Sequence, residues 1–221
     1  MDSEEKQHKL IIQDFLKYLN ARTNNFILKG GTALRLCYRL PRFSENIDLD
    51  AEKENILSYV QDYCKKRHFD VRIAKDMPTV KECMINYGNK NRPLKVEVSY
   101  RNRNIDKTNC IEINHINVYD VNRLAKMKAM AYSGRDKIRD MYDLSFICNN
   151  FWNDLSKETK ENIRDALIYK GIEQFEYIVA SQSDDKINEI ELLLSFLQMC
   201  DNAGILSDDS KPFGKTGNER L

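Results

Sequence analysis

The chain has 221 residues, enough for one domain or two small ones with a real core. Lys and Arg number 35 against 34 Asp and Glu, which excludes a global basic field, so any polyanion site must be a local cluster. Only 8 Gly and 4 Pro, with no low-complexity tract, exclude a linker-like or fibrous chain and favour a helix-rich globule.

The first six residues are polar, with no apolar segment behind a basic start, and no apolar run reaches membrane-spanning length. A cytoplasmic location and no membrane partner are therefore expected. From His8 to Asn20, the apolar positions Leu10, Ile11, Phe15, Leu16 and Leu19 form the stripe of an amphipathic helix. Phe26-Ile27-Leu28 reads as a short strand ending at Gly30-Gly31. Thr32 to Leu40 then reads as a helix, with Thr32 near its N-cap and Pro41 stopping it. Ile47-Asp48-Leu49-Asp50 alternates with period two, as a half-buried strand does. A helix over Asn55 to Arg67 precedes strand-like runs at Asp70 to Ala74, Glu82 to Asn86, Leu94 to Tyr100 and Cys110 to Ile113.

Near Val118 the texture changes. Val121 to Tyr132, Arg139 to Asn149, Lys157 to Tyr169, Gln174 to Ser181 and Ile187 to Asp201 all carry helical periodicity. The expected class is α/β (α+β), a mixed sheet with helices packed on it followed by a C-terminal helical bundle. The expected boundaries are 1–118 for the α/β part, 119–206 for the helices and 207–221 for a flexible polar tail. Cys37, Cys64, Cys83, Cys110, Cys148 and Cys200 form no CxxC pair, which favours reduced buried thiols over zinc ligands or a disulfide framework.

Four features could carry chemistry. A strand running into Gly30-Gly31-Thr32 at a helix start leaves bare N–H groups, where the helix dipole favours an anion and Thr32 can add a hydroxyl. The same pattern is also a common tight connection. Asn46, Asp48 and Asp50 share one face of their strand, and acids beside a phosphate-binding turn suit magnesium-dependent phosphoryl transfer. A solvated strand end would look alike. Glu97, flanked by Val96 and Val98, completes a carboxylate cluster if its strand adjoins Ile47–Asp50, and faces water if that strand lies at an edge. Finally, Lys126-Met127-Lys128-Ala129 precedes Arg135, Lys137, Arg139, Asp140 and Asp143, with Arg139 and Asp143 four apart on one helix face. These residues read either as a surface salt bridge or as phosphate contacts with an orienting acid.

The order of these elements is more specific than any of them. Gly-Gly-Thr-Ala-Leu at 30–34, Arg42-x-Ser44 leading to Asp48, the acid-bearing strand at Glu97, Lys126-x-x-Ala129 and Arg139-Asp140-x-x-Asp143 together resemble the AbiEii/AbiGii family. These are type IV toxin–antitoxin toxins of the DNA polymerase β-like nucleotidyltransferase superfamily. The resemblance spans roughly Lys29 to Leu144 and implies a nucleotidyltransferase using Mg2+ and a nucleoside triphosphate (NTP), with the 3′ end of tRNA as acceptor and a cognate antitoxin as partner. It implies that Gly30, Gly31, Thr32, Arg42 and Ser44 bind the nucleotide. Position 46, Asp48 and Glu97 would hold metal, Lys126 would contact phosphate and Asp143 would be the distal acid.

One position departs from the pattern. The family has aspartate where this chain has Asn46, and an amide lacks the charge and cannot act as a base. Three explanations are open: an engineered change that makes a toxic protein expressible, a naturally weakened enzyme, or Asp48 and Asp50 as the working pair. A catalytically impaired binding protein of the same fold, or an enzyme acting on a protein or small molecule, are the alternatives in function.

Overall fold

A computed structural model describes residues 3–88, 92–182 and 184–206; the tail expected over 207–221 lies outside them. The elements in chain order are α1 (Ser3–Asn20), β1 (Ile27–Lys29), α2 (Gly30–Cys37), β2 (Ile47–Asp50), α3 (Ile56–Arg67), β3 (Asp70–Met77), β4 (Val80–Asn86) and β5 (Leu94–Ser99). They continue with β6 (Cys110–Ile113), β7 (Ile116–Tyr119), α4 (Val121–Gly134), α5 (Ile138–Phe151), α6 (Lys157–Lys170), α7 (Gln174–Ser181) and α8 (Glu189–Asn202). The seven strands form one mixed sheet in the order β3-β4-β5-β2-β1-β7-β6.

Strand β7 is the element absent from the expectation. Asn114 and His115 both take positive φ and turn the chain so that Ile113 pairs with Ile116. A two-residue hairpin of this kind usually announces itself with glycine, and here it does not. β7 matters because it pairs parallel with β1 and closes the sheet beyond the Gly-Gly turn.

Alternation decides which face of the sheet is wet. In β5, Leu94, Val96 and Val98 are buried while Lys95, Glu97 and Ser99 are half-buried. The apolar side joins one core cluster with Phe15, Leu16 and Leu19 of α1 and Val60 and Tyr63 of α3. The same cluster continues into the helices through Leu124, Leu144, Ile163, Leu192 and Phe196. On the other face, the pairing register aligns Lys75, Glu82, Glu97, Asp48 and Lys29 in one charged row across five strands. β5 is therefore interior rather than an edge, and Glu97 stands directly beside Asp48. All six cysteines are free thiols. No described helix is long and apolar enough to cross a membrane.

Candidate active site

Helices α3, α4, α6 and α8 each start with an Asn, Asp or Ser side chain accepting a bond from the first turn. α2 and α5 start with lysines whose side chains make no such bond. The N-termini of α2 and α5 line a single cavity of about 670 Å³. Gly31 contributes from α2, Ser44 to Asn46 and Asp48 from the approach to β2 and from β2 itself, and Lys137 to Asp140 from the start of α5. Arg42, Lys128, Arg135, Gln182 and Asp184 complete the walls. The Ile138 N–H at the start of α5 donates to the Gln182 side chain at 3.2 Å, while the α2 start has no side-chain cap. Arg42, Lys128, Arg135, Lys137 and Arg139 stand against Glu45, Asp48, Asp140 and Asp184 in the lining, so cations gather locally in a nearly neutral chain.

The glycines are needed for close approach. Gly30 sits at φ +72°, and a Cβ there would come within 3.0 Å of an Asp48 carboxylate oxygen. A Cβ on Gly31 would stand 2.9 Å from the Arg42 guanidinium and 3.1 Å from Ser44 Oγ. Thr32 does not cap the helix. It is buried, and its hydroxyl meets Ser44 Oγ at 2.8 Å and the Asn46 carbonyl, so it ties the loop to the helix instead of facing a ligand.

Burial pushes the Asp48 carboxyl above its ordinary range, and neighbouring Glu97 adds to this while Lys95, Lys29 and Lys128 oppose it. A carboxylate held there against its own desolvation is one a bound cation would relieve. Among the described residues no group of three or more His, Cys, Asp or Glu is arranged to hold a metal. Asp48 and Asn46 line the cavity, and Glu97 stands beside Asp48 on β5, where Lys95 pairs with it at 3.0 Å. The Asp48 carboxylate and the Asn46 amide are oxygens that suit a hard cation keeping waters and phosphate oxygens as its other ligands. Asp50, although on the same face as Asp48, is otherwise engaged. Lys29 pairs with it at 2.5 Å and the Tyr119 hydroxyl donates to its second oxygen at 3.0 Å.

Over residues 14–203 the sequence matches the family described as nucleotidyl transferase AbiEii toxin, type IV TA system. The chain belongs to that family. JHP933 from Helicobacter pylori has a crystal structure similar to it, with 25% identity and a TM-score of 0.76 over 93% of this chain and 92% of that one. MenT4, a nucleotidyltransferase toxin from Mycobacterium tuberculosis H37Rv, shares the fold at a TM-score of 0.56 and 17% identity, over 94% of this chain and 87% of its own. No match is found among curated proteins.

Within this AbiEii nucleotidyltransferase, two expected residues stand elsewhere than the motif suggested. Lys126 points out of the cleft: its ammonium pairs with Glu158 of α6 at 2.7 Å, and it lines a separate groove between α4 and α6. Two residues further along α4, about 200° around the helix, Lys128 faces the cleft instead. Lys128-Ala129-Met130-Ala131 also fits Lys-x-x-Ala, so the sequence offered two registers and only the packing of α4 separates them. Asp143 is fully buried and is not among the residues lining the cavity. Its carboxylate takes both Nε and Nη2 of Arg42 at 2.7 Å, and Lys128 Nζ at 2.6 Å.

The Arg139–Asp143 pair expected on one helix face is not formed as a salt bridge. Arg139 reaches Asp184 at 2.5 Å, in the connection between α7 and α8. Burial raises the Asp140 carboxyl, but Arg135 and Lys128 outweigh it and hold it below its ordinary value. The pattern Arg-Asp-x-x-Asp thus supplies one cleft cation, one buried acid paired with Arg135 and Lys128, and one buried anchor. Asp184 and Gln182 had no local signal; they enter only because α7 and α8 pack beside α5.

Proposed function

We propose that this nucleotidyltransferase toxin moves a nucleoside monophosphate from an NTP to the 3′ end of tRNA, with magnesium as the metal. The observation that supports this reading best is Asp48 under the Gly30-Gly31 turn, with Glu97 beside it on β5, in a cavity that Lys128, Arg135, Lys137 and Arg139 also line. In this reading the α2 N-terminus and Ser44 hold the triphosphate, while Arg42 braces the turn from behind. The cations on α4 and α5 offset the charge of the triphosphate and of the departing pyrophosphate. The acceptor 3′-hydroxyl attacks the α-phosphorus, the bond from that phosphorus to the bridging oxygen breaks, and pyrophosphate leaves. Asp48, the carboxylate directly under the Gly30 turn, takes the hydroxyl proton. A magnesium ion held by Asp48, Glu97 and the residue at position 46 would supply charge neutralisation at the phosphate oxygens.

Asn46 supplies an oxygen to the site but no charge, so the Asn46→Asp variant is the stronger enzyme in this scheme. The experiment incubates that variant with total tRNA, magnesium and each labelled NTP in turn. Label at the tRNA 3′ end is the expected outcome; no transfer to RNA with any nucleotide would sink the reading. The competing reading, a binding protein with an impaired cleft, predicts equal growth arrest by the chain and by its Asn46→Asp variant.

A further inference from the structure

The first turns of α1 make polar contacts that packing alone does not require. His8 is fully buried, with its ring against Tyr87 and Phe43. Its Nε2 lies 2.7 Å from the carbonyl of Glu45, and Nδ1 lies 2.6 Å from the Tyr87 hydroxyl. A carbonyl only accepts, so Nε2 carries the hydrogen, and the neutral ring accepts from Tyr87. Burial lowers the His8 pKa, which keeps the ring in this neutral form. An imidazole inside an apolar cluster costs free energy that only satisfied hydrogen bonds offset. Both bonds are made, and one of them ends on the backbone between Ser44 and Asn46, two cavity-lining residues.

One turn earlier, buried Glu5 pairs with Lys186 at 2.6 Å. The Lys186 backbone N–H donates to Asp184, and Asp184 holds Arg139 in the cleft wall. His8 and Glu5 lie on one helix face, three apart, and each reaches a different rim of the same cavity. Both precede residue 14, where the match to the AbiEii family begins.

We propose that the start of α1 is a strap that positions the cleft, with His8 fixing the Ser44–Asn46 backbone and Glu5 fixing the Asp184–Arg139 rim. Neither residue touches the reacting atoms; both are positioning residues. The kinetic consequences rest on the NTP-transfer reading given above, whereas the strap itself can be read without turnover.

The test compares His8→Phe, which fills the space but makes neither bond, with His8→Gln, which keeps one donor and one acceptor. Amide hydrogen exchange is followed in the nucleotide-free protein, and KM and kcat are measured in the Asn46→Asp background. The strap predicts exchange at residues 44–48 faster on the order of tenfold in His8→Phe, while the central strands keep their protection. The KM for NTP rises about tenfold, the KM for tRNA is unchanged, and His8→Gln restores both readouts. Unchanged exchange at 44–48 in a folded His8→Phe protein, or exchange raised uniformly, overturns the proposal. Should His8→Phe fail to fold, Tyr87→Phe and Glu5→Gln take its place. Tyr87→Phe is expected to loosen 44–48 and Glu5→Gln the 184–186 connection, and unaltered exchange in both overturns the strap. Absence of transfer by every variant, the Asn46→Asp parent included, would refute the transfer reading and leave the exchange result to decide the strap.

Discussion

Replacing Asp143 with alanine separates a catalytic acid from a buried anchor. The Asp143 side chain is 0% exposed and that of its partner Arg42 is 4% exposed, joined by two hydrogen bonds of 2.7 Å. Lys128 also loses a contact in this variant, but it keeps Asp140 at 3.2 Å and is partly open to the cleft. The penalty therefore falls mainly on Arg42, left charged, buried and wedged behind Gly31. Breaking a buried pair by removing one partner costs about 3–5 kcal/mol. For a chain of this size that corresponds to a Tm lower by about 6–20 °C. Calorimetry or a thermal melt of Asp143→Ala measures this directly. A double-mutant cycle with Arg42→Met should return a coupling energy of about 2–3 kcal/mol. An Asp143→Ala protein with an unchanged Tm and abolished turnover would refute the anchor and restore Asp143 as an acid of the reaction.

Gly31→Ala should cost about 1–3 kcal/mol and weaken nucleotide binding, because its new methyl meets an Arg42 that Asp143 prevents from moving; nucleotide titration and a melt check both. Asp48→Asn should abolish transfer yet stabilise the fold. The folded carboxyl has a raised pKa, so its charged form opposes folding, and this instability develops as pH rises through the unfolded value of about 3.9 and beyond. The variant's advantage should thus be present at neutral pH and vanish below about pH 3, measured by denaturant titration across pH. Asp140 acts in the opposite sense: its folded pKa is lowered, so its stabilisation is present above the unfolded value and is lost as pH falls through the folded one. Lys126→Ala should leave turnover within about twofold, since it breaks only a largely exposed pair, whereas Lys128→Ala should lower both stability and turnover. Equal loss in the two lysine variants would contradict the placement of α4.

Much of the site was legible in the sequence because its parts are local. A strand, two glycines and a helix must bring N–H groups to one point, and alternation alone puts Asp48 on the polar face of β2. The order of motifs from Lys29 to Asp143 was enough to place the chain among the AbiEii nucleotidyltransferase toxins. What the sequence could not hold was anything set by packing between distant elements. Strand order decided that Glu97 stands beside Asp48 rather than at an edge. The rotation of α4 decided that Lys128, not Lys126, enters the cleft. The approach of α5 to the loop after α2 turned Asp143 from a cleft acid into the counter-charge of Arg42, across 101 residues of chain. Local geometry determines which residue types are presented on which face; only the tertiary fold decides which charges meet, because a charge removed from water must find its partner wherever the packing puts one.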